Sequence, residues 1–469
     1  MFLRPGQART TEVKMAQTAT RTELFETMPL PRAIATLAIP TILSSLVMVL
    51  YNLADTWFVG MLNDPVQNAA VTLAAPVLLA FNAVNNLFGV GGSSLMSRSL
   101  GLKDYETVRR ASAFSFWCAV AGGALISLLC ICFNSSLLGM LGATDVTCGA
   151  TRSYLGWTVC LGAVPAILNV VMAYLVRSEG ASLHASIGTM SGCILNMILD
   201  PIFILPQGLD MGAAGAGCAT FLSNCVACVY FFILLMVRRG KTLVCINPRK
   251  FSVKHGIPRR VLGVGFPACI QNLLNVTGMT ILNNFAAAYG ASAVAALGIA
   301  QKVNNVPFQI ALGFSQGIMP LVSYNYTSGN HRRMKRAVSG SLVLAECVLL
   351  AVSITYMIFA GDLIRLFMNN DEIVTIGTRL LRTFCLTQPL LALDFITVGV
   401  FQALGMGRNA LLFAVLRKVV LEIPALFVFN RLIPLYGLAC AQPFAEAVMA
   451  VLSVVVLVKL FARLNREPQ

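Results

Sequence analysis

The chain has 469 residues, 57% of them hydrophobic and only 11% charged, with a mean hydropathy of +0.78. A soluble domain carries roughly 25% charged residues, so the polar surface needed to cover a core of this size in water is missing. The net charge of +15 would suggest nucleic acid in a soluble protein; here the sidedness of the basic residues across a membrane has to be considered first.

In chain order, the first 32 residues, MFLRPGQARTTEVKMAQTATRTELFETMPLPR, are polar and lack an apolar stretch. They read as a cytoplasmic tail and not as a signal peptide. About twelve apolar segments follow, at 33–59, 69–97, 112–133, 156–176, 184–205, 212–237, 260–286, 292–322, 339–360, 382–404, 409–430 and 436–461. Each is long enough to cross a bilayer as a helix. Several contain glycine or proline, which predicts tilts and kinks. The fold class is an all-α membrane protein of about twelve spans. It divides into an N-lobe at 33–237, a basic linker at 238–259, a C-lobe at 260–461 and a short tail at 462–469.

The connections alternate in charge. Basic residues gather in the N-terminal tail, in the loop after span two (Arg98, Lys103, Arg109, Arg110), in the linker, and after span eight (Arg332, Arg333, Lys335, Arg336). Loops 60–68, 206–211 and 287–291 have no lysine or arginine. The positive-inside rule then puts both termini in the cytoplasm, with anionic lipid as the contact of the basic loops and no need for nucleic acid. The halves also resemble each other at a period of about 225 residues. SLGLKDYETVRRA (99–111) matches NYTSGNHRRMKRA (325–337), and MGAAGAGCA (211–219) matches YGLACAQPF (436–444). Six spans per half put the two lobes in the same orientation, related by a pseudo-two-fold axis along the membrane normal, which is a transporter architecture.

Six acids fall inside the spans: Asp55, Asp200, Glu346, Asp394, Glu422 and Glu446. A charge at the bilayer centre costs about 2.5–3.5 kcal/mol on insertion scales, so such residues face a bundle interior or a cavity and default to function. A hydrogen bond between helices is the plainer alternative. At 1.5 Å per residue, Asp55 lies about 7 Å below the outer end of span one, and Asp200 roughly 9 Å below that of span five. Asn196, four residues before Asp200, shares its face. Pro201 cannot donate to the carbonyl of Met197 and leaves that oxygen free. Two carboxylates, an amide oxygen and a freed carbonyl suit a small hard cation such as Na⁺. They suit one shared proton equally, since two close carboxylates are costly to keep charged together. The second half echoes this more weakly. VLEIP (420–424) follows ILDP (198–201), which sets Glu422 where Asp200 stands, while Asp394 lies near mid-membrane in span ten. Glu346 and Glu446 stand alone, with Lys302 as the available partner.

Fourteen cysteines sit mostly inside spans and read as small packing residues. No P-loop, zinc-protease or serine-hydrolase signature is present, so the energy source is an ion gradient and no cofactor is expected beyond the coupling ion. A multi-span enzyme or a receptor-like binding protein is the rival of another class; its weakness is that His184, His255 and His331 are scattered.

Three stretches, their order and the two-lobe plan of twelve spans carry a family resemblance: AIPTILSSLVMVLYNLADTWFVG (38–60), LNMILDPIFI (195–204) and GAAGAGCATFLSN (212–224). Together they resemble the MATE family, the multidrug and toxic compound extrusion antiporters, over nearly the whole chain from about residue 30, and look nearest to a bacterial multidrug branch. The resemblance implies a V-shaped pair of lobes, alternating access, and export of organic cations in exchange for Na⁺ or H⁺. A monomer is expected. It places the span-one acid on Asp55, the span-five pair on Asn196 and Asp200, the span-six threonine on Thr220 and the span-four tyrosine on Tyr154. The span-ten acid of some members falls on Asp394. Some members carry a glutamate in span seven, where this chain has Gln271, Asn272 and Asn275. That departure directs attention to the first lobe for the coupling ion. A lipid-linked saccharide flippase shares the plan, but its anionic cargo would call for more lysine and arginine in the spans than Lys302, Arg417 and Lys418.

Overall fold

Backbone polar groups in a bilayer must be satisfied within the segment, and the apolar runs accordingly become helices. The computed structural model describes residues 23–62 and 64–466; it is helical, and no strand occurs among the described residues. Nine helices are long and apolar enough to cross a membrane, and two bent pairs pass the same test when each is taken as one span. With residues 407–432, whose charged side chains keep them out of that count, they give twelve helices in the expected order. These are α1 (Leu30–Gly60), α2 (Pro65–Gly101), α3 (Tyr105–Cys132), α4 (Asp145–Leu161 with Ala163–Ser178), α5 (Ser182–Ile204) and α6 (Gly212–Val237). They continue as α7 (Ile257–Ala287), α8 (Ala291–Thr327), α9 (His331–Arg365), α10 (Asp371–Cys385 with Gln388–Leu404), α11 (407–432) and α12 (Gly437–Arg466).

Most helices overshoot their apolar runs. The difference is largest in α4 and α10, which start 11 residues earlier than the sequence suggests and bend by 48° and 46°. Their first segments are amphipathic. In Asp371–Cys385 the buried positions Ile373, Val374, Gly377, Leu380, Leu381 and Phe384 follow a helical period while Glu372, Arg379 and Arg382 lie on the other face. A hydropathy reading sees only the apolar part of such a helix.

The chain divides into two units, and the division runs through helices, not only between them. The first unit holds Val47–Cys269, and the second holds Leu30–Leu46 and the chain from Ile270 onward. So the first half of α1 belongs to the second unit, and the linker with the start of α7 belongs to the first. Glycines make both attachments close. In the second unit a Cβ on Gly317 of α8 would lie 2.7 Å from the Cα of Ala38, and one on Gly313 would lie 2.9 Å from the Cα of Ile42. In the first unit a Cβ on Gly265 of α7 would lie 2.0 Å from the Leu87 carbonyl oxygen of α2.

The linker is an ordered strap on the first unit. The buried Glu179 carboxylate accepts from Thr242 Oγ1 (2.6 Å) and from the backbone N–H groups of Leu243 (2.9 Å) and Val244 (2.6 Å). Ser112 exchanges two hydrogen bonds with the backbone of Cys245, Trp117 Nε1 donates to the Ile246 carbonyl, and Lys250 pairs with Glu106 at 3.0 Å. Of the expected N-terminal tail, residues 1–22 lie outside the described residues. The part that follows is docked: Phe25 is fully buried, and its ring with Leu24 packs over Gly180, whose φ of +86° suits glycine.

Candidate functional site

In the first unit, four helices bring polar groups together. α1 supplies Tyr51 and Asp55, one helical turn apart; α4 supplies Tyr154, α5 supplies Asn196 and Asp200, and α6 supplies Thr220. Tyr154 is an electrostatic neighbour of both Asp55 and Asp200, and the two carboxylates are neighbours of each other. Tyr51 lies beside Asp55, Tyr154 and Thr220. All five residues named from sequence for the first lobe therefore meet. Tyr51 was not named, although its place four residues before Asp55 on one helix face was a signal for it.

Asp200 is fully buried and Asn196 nearly so. The amide orientation that satisfies both of its ends has the Asn196 nitrogen donating to Asp200 Oδ2 (2.8 Å) and Oδ1 (3.1 Å), while its oxygen accepts from the Thr220 backbone N–H (3.1 Å) and hydroxyl (3.2 Å). Thr220 thus fixes Asn196, and Asn196 fixes the carboxylate. Asp55 differs: its Oδ1 is buried with no hydrogen-bond partner. An unsatisfied carboxylate oxygen next to a satisfied carboxylate is an arrangement that a proton or a small cation completes.

The small residues of α6 make this closeness possible. A Cβ on Gly217 would lie 3.1 Å from the Tyr154 carbonyl oxygen and from the Trp157 side chain, and one on Gly215 would lie 2.3 Å from the Phe203 carbonyl oxygen. GAAGAG therefore lets α4 and α5 approach α6 at the level of Tyr154 and Asp200. The Ala213 N–H at the start of α6 donates to Gln67 Oε1 at 2.8 Å, which ties this corner to α2.

The second unit arranges its acids otherwise. Asp394 is ion-paired with Arg417 (2.8 Å), and the same guanidinium reaches Glu446 at 3.5 Å. Thr387 Oγ1 and Gln442 Nε2 donate to Glu446 at 2.6 and 2.7 Å. Arg417, Asp394 and Glu446 are all at most 5% exposed, and the guanidinium also sits over the Phe395 ring. Glu422 is held by Lys418 at 2.7 Å. Glu446 is thus not a lone acid, and its partner is Arg417, not Lys302; Glu346 keeps a buried Oε1 without a partner. Gln271 receives a long hydrogen bond of 3.5 Å from Gln402, and no side-chain hydrogen bond joins Asn275 to the acids among the described residues. Arg417 and Lys418 lie in a π-helical turn of α11, Leu416–Glu422, where the extra residue per turn alters the faces that a regular helical period assigns.

Comparison with known proteins agrees with this architecture. The MatE family model matches the chain twice, over residues 40–202 and 267–428, as a duplicated chain requires. The multidrug export protein MepA of Staphylococcus haemolyticus is 33% identical over 448 residues, covering 94% of this chain and 96% of the relative. MepA of Staphylococcus aureus is 31% identical over 442 residues with the same coverage. Among solved structures, an outward-facing multidrug resistance MATE transporter of the MOP superfamily superposes with a TM-score of 0.89 at 27% identity, covering 95% of this chain and 98% of that one. A MOP superfamily transporter from Pyrococcus furiosus, described as having a binding pocket of reversed polarity, gives 0.87 at 27% identity, again over 95% and 98%. These relatives are transporters and export proteins, not enzymes. The duplicated match, the extent of the identity and the shared fold make this chain a multi-span membrane transporter that belongs to the MATE family.

Proposed function

We propose that this protein is a secondary active multidrug exporter that antiports amphipathic, mostly cationic organic compounds against Na⁺ or H⁺ by alternating access. The observation that carries the reading is the carboxylate pair of the first unit, in which the buried Asp200 is held by Asn196 while the buried Oδ1 of half-buried Asp55 has no partner. The naming of the relatives as multidrug export proteins supports the export half. In this reading Asp55 takes the ion, Asp200 supplies the second carboxylate, Asn196 and Thr220 orient it, and the Tyr51 and Tyr154 hydroxyls border the site. Coupling then follows from the ion and the drug preferring different conformations, since a ligand shifts an equilibrium only by its differential affinity. The coupling ion is the only cofactor. The chain works as a monomer in the cell membrane with both termini cytoplasmic, its basic loops on anionic lipid.

A flippase for anionic saccharide lipids is disfavoured because Arg417 and Lys418 are both engaged by carboxylates. The test is ion movement evoked by substrate in proteoliposomes, read with Na⁺- and H⁺-sensitive dyes. Asp55→Asn is expected to remain folded and to lose gradient-driven dye efflux. Normal efflux by that variant under a Na⁺ or H⁺ gradient would overturn the assignment.

A further inference from the structure

In the first unit, two thiols face each other across a helix pair. Cys130 is two residues from the end of α3, the end away from the basic loop that carries Arg109 and Arg110, and it is buried. Cys160 is half-buried in the π-helical turn Gly156–Leu161 of α4. Their sulfurs are 3.6 Å apart, with Cys160 donating to Cys130. Two further features hold the helices in this register. Ser127 Oγ donates to the Val159 carbonyl at 2.9 Å, and a Cβ on Gly123 would lie 3.0 Å from the Cα of Val164. A disulfide requires an S–S distance of about 2.05 Å. The remaining gap between the sulfurs is about 1.5 Å.

We propose that Cys130 and Cys160 are an oxidisable dithiol that bridges α3 to α4. The oxidant is hydrogen peroxide, which reaches the half-buried sulfur. The Cys160 sulfur attacks the peroxide, the O–O bond breaks, water leaves, and a sulfenic acid (S–OH) remains. The Cys130 sulfur then attacks that sulfur, the S–S bond forms, and the S–OH oxygen leaves as a second water with the Cys130 proton. Two thiols and one peroxide give one disulfide and two waters. The bridge has a mechanical consequence. Cys160 lies two residues before Gly162, where α4 bends, and six residues after Tyr154 on the same segment. Pinned to α3 at Cys160, the segment that presents Tyr154 to Asp55 and Asp200 can no longer move at the bend, and oxidation arrests transport. This last step rests on the coupling site proposed above.

The experiment uses the full chain in proteoliposomes, treated with hydrogen peroxide and mapped by mass spectrometry without reduction. A Cys130 peptide joined to a Cys160 peptide, lighter by two hydrogens and separated by dithiothreitol, is expected. Dye efflux should be lost on oxidation and recovered on reduction, while Cys130→Ala and Cys160→Ala variants keep efflux after peroxide. Absence of the joined peptide from the unaltered chain, or pairing of either cysteine with a third, overturns the dithiol. A joined peptide with undiminished efflux overturns the arrest. Failure of the coupling site itself would be seen separately, as undisturbed ion movement in Asp55→Asn without any oxidant.

Discussion

A carboxylate in a bilayer interior is stabilised mainly by what donates to it, and for Asp200 that donor is the Asn196 amide at 2.8 and 3.1 Å. Removing an oriented ligand's hydrogen-bond partner typically weakens ion affinity about 10–100-fold. Asn196→Ala is therefore expected to raise the half-saturating Na⁺ or H⁺ concentration for efflux by that factor and to leave the maximal rate largely intact. A titration of efflux against the coupling ion checks it; an unchanged half-saturation point would contradict the role given to Asn196. The second unit predicts the opposite pattern. Arg417 offsets the charges of Asp394 and Glu446 together, and breaking a buried pair by removing one partner costs about 3–5 kcal/mol. Arg417→Gln should lower the melting temperature in detergent, whereas Asp394→Asn should keep ion-driven efflux. Loss of coupling in Asp394→Asn would place an ion in the second unit as well. The sequence shows both kinds of acid as expensive residues in apolar runs. It does not show what compensates each one, because Asp394, Arg417 and Glu446 come from three helices and no local period links them. Asn196 and Asp200 were legible because they share one face of one helix.

At the scale of elements, the linker is held on the first unit by one carboxylate that serves three donors, Thr242 Oγ1 and the N–H groups of Leu243 and Val244. Leaving buried backbone donors without a partner costs about 1–3 kcal/mol. Glu179→Ala should therefore loosen the strap, and trypsin should cut at Arg238, Arg239 or Lys241 faster than in the unaltered chain. Equal cleavage rates would mean that Ser112, Trp117 and Lys250 suffice to hold it. Charge alone had marked this segment as a basic connection facing the cytoplasm. Its attachment was hidden because Glu179 belongs to a short loop between α4 and α5, where neither hydropathy nor period carries information. The same limit applies to the bends at Gly162 in α4 and before Gln388 in α10. The apolar runs locate the membrane part of each helix, while the amphipathic first segments look like loops until their buried faces are known.

At the scale of the whole molecule, the duplication visible in the sequence does not coincide with the units that pack. Each unit is completed by the start of a helix from the other half: Leu30–Leu46 in the second unit, and the chain from the linker to Cys269 in the first. In lipid, helices associate through close van der Waals packing and not through the hydrophobic effect, so contacts at small residues carry much of the specificity. Without residues 30–46, Gly313 and Gly317 of α8 lose the backbone they pack against. Without residues 257–269, Gly91 and the Leu87 carbonyl of α2 lose Val261 and Gly265. Residues 1–237 expressed alone, and residues 238–469 expressed alone, are therefore each expected to aggregate or be degraded. Expressed together as two chains, they should recover a monodisperse, heat-resistant species. Fluorescence-detected size-exclusion chromatography of the three preparations gives the comparison. If either half alone ran as a sharp, stable peak, the exchanged helix starts would be incidental to folding, and the sequence repeat would mark the folding unit after all. If only the pair is stable, the two halves fold as one, each needing the helix start that the other half contributes to its unit.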